Sequence, residues 1–371
     1  MLGNQNDGSS WHASIALQKR LDSWRESQKI PGISVAILFP DDTLWLGTSG
    51  LADVKGKTPV ETDTAFAVAS VSKTFTSALI LALHDEGKID LEAPARQYLP
   101  TLPIDKRITV RQLLDHTSGL ADFFFDPRID KALLGDRGRT WSFSQSLGYV
   151  GKPYAKPGKK WAYSNTNYLI LGAIAERVGG APLEDQLAER FFRPLGMTRT
   201  YDQRGQVPNG PVAHGYRFAT GKASPIDLTD GTRVTPFTSV ITAAGGAGAI
   251  ASTPTDLVFW ARSIYGGGGP ETISPASRQA MFADVAATAA LKPRIPYGLG
   301  VQAIDLDGHL AYGHSGRLLG FRSLVRWIPD ERMAIAILTN QSRTDPAIIA
   351  RSLLRIALRP STECAICRAP I

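Results

Sequence analysis

The stretch Phe66-Ala67-Val68-Ala69-Ser70-Val71-Ser72-Lys73-Thr74-Phe75-Thr76 contains a serine hydroxyl and a lysine amine three residues apart. It lies where an apolar segment passes into a long apolar helix. Positions i and i+3 share one face of a helix, so this spacing predicts that the Lys73 amine lies beside the Ser70 oxygen. A serine becomes a good nucleophile only when a neighbouring base takes its proton. Ser70 and Lys73 can therefore form a nucleophile and base pair without a histidine.

A purely structural interpretation of Ser70 and Lys73 is also open. A serine near a helix start is commonly an N-cap, and a lysine one turn later is commonly a solvated surface charge. However, the segment after Lys73 is apolar on nearly every face, which is typical of a buried helix. A lysine at the start of a buried helix needs a partner or a chemical role. This is also the only Ser-x-x-Lys in the sequence.

The composition is that of a folded globular chain. The sequence has 371 residues, of which 43% are hydrophobic and 20% are charged, so it can form about two domains with a sizeable core. The net charge is +7, but the basic residues are scattered, and we expect no nucleic-acid partner. No stretch reaches the roughly 18 uncharged apolar residues of a membrane span.

The sequence indicates neither a metal nor an organic cofactor. Its six histidines are scattered without the spacing of metal ligands. Cys364 and Cys367 form a Cys-x-x-Cys near the C-terminus, and one such pair cannot fill a four-ligand zinc site. We therefore expect a tail thiol pair without a catalytic role.

Strand-like runs lie towards the two ends of the chain, with helical patterns between them. Residues 33–39 and 43–48 are joined by Pro40-Asp41-Asp42, which predicts a hairpin. A second group of runs predicts an antiparallel meander covered by a helix over residues 346–358. These runs are residues 297–304, 309–312, 321–327 and 333–338.

This order predicts an α+β protein with two domains. We expect residues 12–84 and 212–371 to form a discontinuous α/β domain with an antiparallel sheet and terminal helices. Residues 85–211 are expected to form a mostly helical domain between these two parts.

A catalytic pair needs a second proton-transfer group and polar contacts to the substrate. Tyr163-Ser164-Asn165 lies in a turn before a helix, where Asn165 can cap the helix and Tyr163 can be a partly buried aromatic. Alternatively, the Tyr163 phenol acts as a proton relay with its pKa lowered by Lys73. His314-Ser315-Gly316 lies at a strand edge, where Gly316 allows a substrate backbone to approach closely.

In this order, the three motifs resemble those of the penicillin-recognising serine hydrolases. That family includes class C β-lactamases, D-alanyl-D-alanine carboxypeptidases, D-aminopeptidases and related esterases. The resemblance covers roughly residues 15–358 and includes the block Thr109-Val110-Arg111-Gln112-Leu113-Leu114-Asp115-His116-Thr117-Ser118-Gly119-Leu120. It implies a β-lactamase/transpeptidase-like fold, in which a sheet flanked by helices packs against a helical domain and the active site lies between them.

Position by position, the resemblance implies a role for each residue of the motifs. Ser70 would be the acylated nucleophile and Lys73 its base. Tyr163 would be the second acid and base, and Asn165 a donor to the substrate amide. The backbone N–H groups of Ser70 and Arg317 would form the oxyanion hole, where each donor is typically worth about 2.7–4 kcal/mol. Whether the amine or the phenolate takes the Ser70 proton stays open, because the pair titrates as a coupled unit.

His314-Ser315-Gly316 stands where many β-lactamases of this group have Lys-Thr-Gly. A lysine keeps a permanent positive charge near the substrate carboxylate, whereas we expect His314 to titrate near neutrality and to bind it less securely. This form resembles the carboxypeptidase, aminopeptidase and esterase branches. Arg317 or Arg322 could instead meet a carboxylate, but we interpret both as surface charges, and His116 as structural.

The sequence therefore predicts a serine hydrolase that works through an acyl-enzyme and cleaves D-amino-acid peptides, like a D-alanyl-D-alanine carboxypeptidase. Two alternatives stay open: a carboxylesterase for short acyl esters with weak or no β-lactamase activity, and a catalytically silent relative that binds a ligand. The expected partner is a peptide, ester or β-lactam substrate, and the oligomeric state is open.

The first ten residues are polar and have no apolar h-region, so we expect no signal peptide in the chain as given. The resemblance favours an exported protein whose leader is absent from this chain. A native start at Met1 would favour the cytoplasm.

Overall fold

Strands from both ends of the chain make up the central sheet of this computed structural model, which describes residues 7–206, 208–218, 224–291 and 295–359. Cys364 and Cys367 lie outside the described residues. The strands, in chain order, are β1 (Gly32–Leu38), β2 (Leu44–Asp53), β3 (Thr58–Pro59), β4 (Phe66–Ala67), β5 (Tyr201–Asp202), β6 (Tyr216–Arg217), β7 (Ile226–Asp227), β8 (Ile250–Ser252), β9 (Gln302–Leu306), β10 (His309–Leu318), β11 (Phe321–Ile328) and β12 (Met333–Thr339).

The described helices pack around this sheet and in the segment between its two halves. None of them combines the length and the apolar character that crossing a membrane requires. They are α1 (Asp7–Ser27), α2 (Ser72–Asp85), α3 (Ala95–Tyr98), α4 (Val110–Leu114), α5 (Ile129–Gly135), α6 (Phe143–Leu147), α7 (Asn165–Gly179), α8 (Leu183–Leu187), α9 (Thr238–Ala244), α10 (Pro254–Gly266), α11 (Pro275–Ala290) and α12 (Pro346–Ala357).

Seven strands form the main sheet, in the order β3-β2-β1-β12-β11-β10-β9, and neighbouring strands are antiparallel. The first and last long strands therefore meet in its centre, where Val35 is opposite Ile337. Every residue of β1 and of β12 is buried. This burial requires helices on both faces of the sheet, and it explains why these two strands are almost entirely apolar instead of alternating.

Two layers of helices cover the two faces of the sheet. On one face, Ile33, Val35 and Ile37 of β1 pack in a cluster with residues of α1 and α12. On the other face, Ala36 and Leu38 pack in the cluster that contains α2, α7 and α10. The period of two in the side-chain directions thus places alternate residues of one strand in two different cores.

Helix α2 lies at the centre of the larger core. Its Phe75 ring stacks on Trp260 of α10 with 4.3 Å between the ring centroids and meets Phe192 edge-on at 5.5 Å. The indole Nε1 of Trp260 donates a hydrogen bond of 2.9 Å to Thr74 Oγ1. These contacts fix the first turn of α2, and with it the position of Lys73.

The predicted α+β fold is confirmed, and several local signals correspond to observed features. Phe39 N donates to Thr43 O at 2.9 Å and closes the predicted hairpin. Thr109 caps α4 through a capping box with Gln112, and Gly180 ends α7 in the left-handed conformation, with φ of 73°.

Other elements differ from the predictions. The strand predicted over residues 297–304 is wrong for its first half, because β9 starts only at Gln302. Gly298 N donates to Val301 O there, and Gly300 has a φ of 75°, so the chain turns before the strand begins. Helices α9 and α11 lie in segments for which no helix was predicted. α11 has a proline at its start, and its burial is irregular, which weakens the helical period in the sequence.

Within residues 85–211 the described elements are α3–α8, the short helical turns Phe123–Phe125 and Ala188–Phe192, and the short strand β5. β5 pairs with β8, so it joins this segment to the remainder of the chain. We propose that residues 85–211 form the helical domain and that residues 12–84 and 212–371 form the other domain.

Substituting Phe75→Ala should strongly destabilise the protein, because the change leaves a cavity beside Trp260 in the centre of the core. We expect the free energy of unfolding to fall by about 3–5 kcal/mol. Phe125→Ala is the matched control, since that side chain is 76% exposed, and it should change the value by less than about 0.5 kcal/mol. Chemical denaturation followed by tryptophan fluorescence measures both, and equal effects would contradict the assignment of the core.

Candidate active site

Ser70 and Lys73 are in contact. Ser70 lies on a 3-10 turn, Ala69–Val71, that directly precedes α2, and its Oγ is 3.0 Å from Lys73 Nζ. Ala69 has a φ of 50°, a left-handed conformation that is rare for residues other than glycine and that clusters at functional sites. The Ser70 side chain is partly exposed, whereas Lys73 is fully buried. A substrate can therefore reach the hydroxyl, but solvent does not reach the amine.

The Lys73 amine has two further oxygen partners. Nζ lies 2.7 Å from Asn165 Oδ1 and 2.8 Å from the carbonyl oxygen of Ala247. Burial lowers the pKa of Lys73 to about 7, although the charge of Asp122 opposes this shift. A neutral amine has two N–H groups and one lone pair. If the N–H groups donate to Asn165 and Ala247, the lone pair faces Ser70 and can accept its proton.

Asn165 and Asp122 continue this chain of hydrogen bonds. Asn165 is the first residue of α7, and Ser164 is the N-cap residue, so Asn165 does not cap the helix. Asn165 Nδ2 donates to Asp122 Oδ2 at 2.7 Å. Burial raises the pKa of Asp122, while hydrogen bonds from Asn165 and from the Phe124 backbone lower it. Sequence reasoning missed Asp122. The signal that could have found it is an aspartate at the N-cap of the short turn Phe123–Phe125, close after the Thr109 to Leu120 block.

The Tyr163 phenol lies on the other side of the amine. Its ring centroid is 5.1 Å from Lys73 Nζ and 4.3 Å from the centroid of the His116 ring. Burial raises the pKa of Tyr163, and the neighbouring Ser70 hydroxyl offsets only part of that rise. The expectation that Lys73 lowers this pKa is therefore wrong, because desolvation of the phenolate outweighs the influence of an amine whose own pKa is lowered to about 7. The Tyr163 phenol therefore keeps its proton at neutral pH.

His314 is buried and holds no charge at neutral pH. Burial lowers its pKa well below the usual range, and the Lys73 charge lowers it further. The expectation that His314 titrates near neutrality is thus wrong. Its Nδ1 lies 2.7 Å from the Ser315 carbonyl oxygen, which requires the proton on Nδ1. Its Nε2 can then accept from Tyr297 Oη at 2.9 Å. Both ring nitrogens therefore have protein partners.

Gly316 lies where β10 packs against the residues that directly precede Ser70. A Cβ atom at this position would be 2.3 Å from the Val68 carbonyl oxygen and 2.2 Å from Ser323 Oγ, which are impossible contacts. Ser323 Oγ itself donates to Val68 O at 2.6 Å. Glycine is thus required for β10 to pack beside the residues that precede Ser70. The oxyanion hole formed by the backbone N–H groups of Ser70 and Arg317 stays a prediction.

Arg326, which sequence reasoning did not consider, lies beside Ser315. Its side chain is 1% exposed, and burial lowers its pKa to about 10, so it stays charged at neutral pH. Nη2 donates to Ser315 Oγ at 2.7 Å and to Gln302 Oε1 at 3.0 Å. Because a guanidinium cannot accept, the Ser315 hydroxyl must accept here, and its own proton is free for another acceptor.

Arg317, Arg322 and His116 are the remaining residues that the sequence analysis discussed, and each has its own environment in the structure. The Arg317 side chain is exposed, whereas Arg322 is partly buried and donates to the Ser342 carbonyl oxygen at 3.2 Å. His116 is fully buried, and its Nδ1 accepts from Ser164 N at 3.2 Å. His116 thus holds the turn that carries Tyr163.

A separate group of side chains, Asp53, His214 and Asp227, has the residue types of a metal site. Their ligand atoms lie within 4.8 Å of one another, and all three residues are partly exposed. His214 Nδ1 is 2.8 Å from Asp227 Oδ2, so an ordinary hydrogen bond accounts for this contact.

Comparisons with known proteins place this arrangement in a family. The family model described as beta-lactamase matches residues 17–358. The chain is 29% identical over 307 residues to penicillin-binding protein 4* of Bacillus subtilis, which covers 81% of the chain and 66% of that protein. It is 28% identical over 344 residues to a D-aminopeptidase of Brucella anthropi, covering 91% of the chain and 61% of the relative. The chain thus spans about two thirds or less of the length of these two relatives.

A solved structure is similar over nearly the whole fold. It is a D-stereospecific amidohydrolase from Streptomyces sp., with a TM-score of 0.73 and 27% sequence identity. The match covers 91% of this chain and 96% of that one.

The rate at which the Ser70 hydroxyl reacts with an electrophile should rise with pH through about 7, because only the unprotonated Lys73 amine can accept its proton. From a pKa of about 7, we expect the rate at pH 6 to be roughly tenfold below its plateau. The rate constant for labelling by a neutral fluorophosphonate between pH 5.5 and 8.5 measures this profile. Lys73→Arg should abolish the rise, and a profile without an inflection below pH 9 would contradict the assignment.

Proposed function

The chain belongs to the beta-lactamase family, and we propose that it is a serine hydrolase that forms an acyl-enzyme on Ser70. The observation that carries this proposal is the 3.0 Å contact between Ser70 Oγ and the fully buried Lys73 amine. Two oxygen partners of the amine leave its lone pair for the Ser70 proton, and its lowered pKa makes it a base at neutral pH.

In the proposed reaction, Ser70 Oγ attacks the carbonyl carbon of the substrate while its proton passes to Lys73 Nζ. The former carbonyl oxygen becomes negative, and the backbone N–H groups of Ser70 and Arg317 stabilise it. The protonated Tyr163 phenol donates its proton to the leaving group as the scissile bond breaks, and Lys73 then reprotonates Tyr163. Water attacks the resulting ester by the reverse sequence, which releases the acid and restores Ser70.

For the substrate, we propose an amide bond in a D-amino-acid peptide, as in a D-alanyl-D-alanine carboxypeptidase. The similarity to a D-aminopeptidase and to a D-stereospecific amidohydrolase supports the D configuration and the amide bond. The Ser315 hydroxyl supports a free carboxylate on the substrate, because Arg326 occupies its acceptor side and polarises its proton. Asn165 would donate to the substrate amide through its remaining N–H.

A carboxylesterase for short acyl esters is the second candidate. The neutral, fully partnered His314 favours it, because that residue adds no positive charge to attract a carboxylate. Substrate preference therefore distinguishes the two candidates.

Covalent modification of Ser70, as a phosphonyl ester by a fluorophosphonate or as an acyl-enzyme by a β-lactam, should be visible in the intact mass of the protein. Incubation with a fluorophosphonate or a β-lactam is expected to add one covalent label per chain, and Ser70→Ala should remove it. Ser23→Ala, at an exposed serine of α1, is the matched control and should be labelled like the parent. An unmodified mass at saturating reagent would favour a ligand-binding protein without catalysis, and labelling that survives Ser70→Ala would assign the nucleophile elsewhere.

Three substrates distinguish the candidate activities. We expect kcat/KM for release of D-alanine from an acylated D-alanyl-D-alanine to exceed the values for p-nitrophenyl butyrate and nitrocefin. The corresponding L-alanyl-L-alanine peptide is the stereochemical control and should be turned over far more slowly. A higher kcat/KM on the ester would replace the peptidase by the esterase.

A further inference from the structure

Asp122 ends the chain of hydrogen bonds that begins at the nucleophile. Its side chain is 3% exposed, and its Oδ1 accepts from Phe124 N at 3.0 Å, so the carboxylate is held by its own turn. Oδ2 faces the Asn165 amide at 2.7 Å. The order of contacts is thus Asp122, Asn165, Lys73 and Ser70, each within hydrogen-bond distance of the next.

The direction of each hydrogen bond in this series follows from which groups can donate and which can only accept. An ionised carboxylate only accepts hydrogen bonds, so the NH₂ end of Asn165 must face Asp122. The carbonyl end of the amide must then face Lys73, and the amine must donate to it. With the Ala247 carbonyl oxygen accepting a second N–H, the remaining lone pair of a neutral amine can only point to Ser70. A reversed amide would instead offer an N–H to Lys73 and compete with Ser70 for that lone pair.

Asp122 is also the charged neighbour that acts on the amine. The other titratable groups facing Lys73 are the phenols of Tyr163 and Tyr168, at 5.1 and 5.6 Å from ring centroid to Nζ, and the buried imidazoles of His116 and His314. All four are neutral at neutral pH, since burial raises the phenol pKa values and lowers those of the imidazoles. The Asp122 charge raises the pKa of Lys73, against the larger effect of burial.

We propose that Asp122 is the positioning residue of this site: it sets the orientation of the Asn165 amide, and thereby directs the lone pair of Lys73 to Ser70. This inference rests on the proposed function, because it assigns Lys73 as the base for Ser70. Asp122 touches neither the nucleophile nor the amine. It acts through Asn165 and through its charge.

Asp122→Asn tests the proposal with little change in shape. The introduced amide can both donate and accept, so the NH₂ end of Asn165 no longer has to face it. The substitution also removes the negative charge of Asp122. We expect Ser70 labelling by a neutral fluorophosphonate at pH 8 to slow by about tenfold or more, the range for losing a hydrogen bond to a charged group. The midpoint of the pH–rate profile should move to lower pH, which a merely structural role would not cause. Asp122→Glu keeps an acceptor and should recover most of the rate.

The reciprocal double substitution Asp122→Asn with Asn165→Asp makes the test independent of the single variant. It keeps a carboxylate and an amide in contact but places the charge directly against Lys73. The midpoint should therefore move to higher pH than in the parent, opposite to Asp122→Asn alone. Asp130→Asn, at an exposed aspartate of α5, is the matched control and should change neither rate nor midpoint. Thermal unfolding identifies variants that do not fold. If Asp122→Asn does not fold, the midpoint of the double variant tests the proposal.

The outcomes separate this inference from the proposed function. If the parent protein is not labelled at Ser70, the proposed function fails. If the parent is labelled, but Asp122→Asn keeps its rate and midpoint, or the double variant keeps the parent midpoint, the positioning role of Asp122 is overturned. Opposite shifts of the two midpoints, with the control unchanged, support it.

Discussion

The amine of Lys73 is removed from water and lies against three oxygen atoms, and the chemistry proposed for this site depends on that burial. An exposed lysine is charged at neutral pH and cannot accept a proton, whereas burial lowers the pKa of this one to about 7. An ammonium without partners would be costly there. Asn165 and Ala247 provide acceptors, and the packing of Phe75 on Trp260 holds the first turn of α2 in place.

The same burial sets the protonation states around the amine. Tyr163 keeps its proton and His314 stays neutral, because desolvation disfavours the phenolate of the one and the imidazolium of the other. The site thus combines an amine that titrates near pH 7, a protonated phenol and a neutral imidazole. A positive charge beside Ser315 comes from Arg326 of the neighbouring strand β11, and not from the histidine of the motif. In the proposed reaction, the environments of Lys73 and Tyr163, and not their usual pKa values, make the first the base and the second the acid.

The sequence predicted those features that depend on local spacing. The i, i+3 separation predicted the contact of Ser70 with Lys73, and the period-two runs with their turns predicted the antiparallel sheet. What it could not predict depends on tertiary packing. The direction of the Tyr163 pKa shift requires the burial of that phenol, and the role of Asp122 requires its approach to Asn165, 43 residues away along the chain. Arg326 resembles a surface arginine until β11 places it beside Ser315.

The pKa of the Lys73 amine, measured directly, tests the central claim. In protein labelled with ¹⁵N and ¹³C at lysine, the Cε and Nζ resonances that disappear in Lys73→Arg can be followed by NMR from pH 5 to 11. We predict a single titration of Lys73 with a midpoint near pH 7, well below that of the surface lysines. A midpoint near the ordinary lysine value of about 10.4 would contradict the account, because the amine would then be an ammonium and could not accept the Ser70 proton at neutral pH.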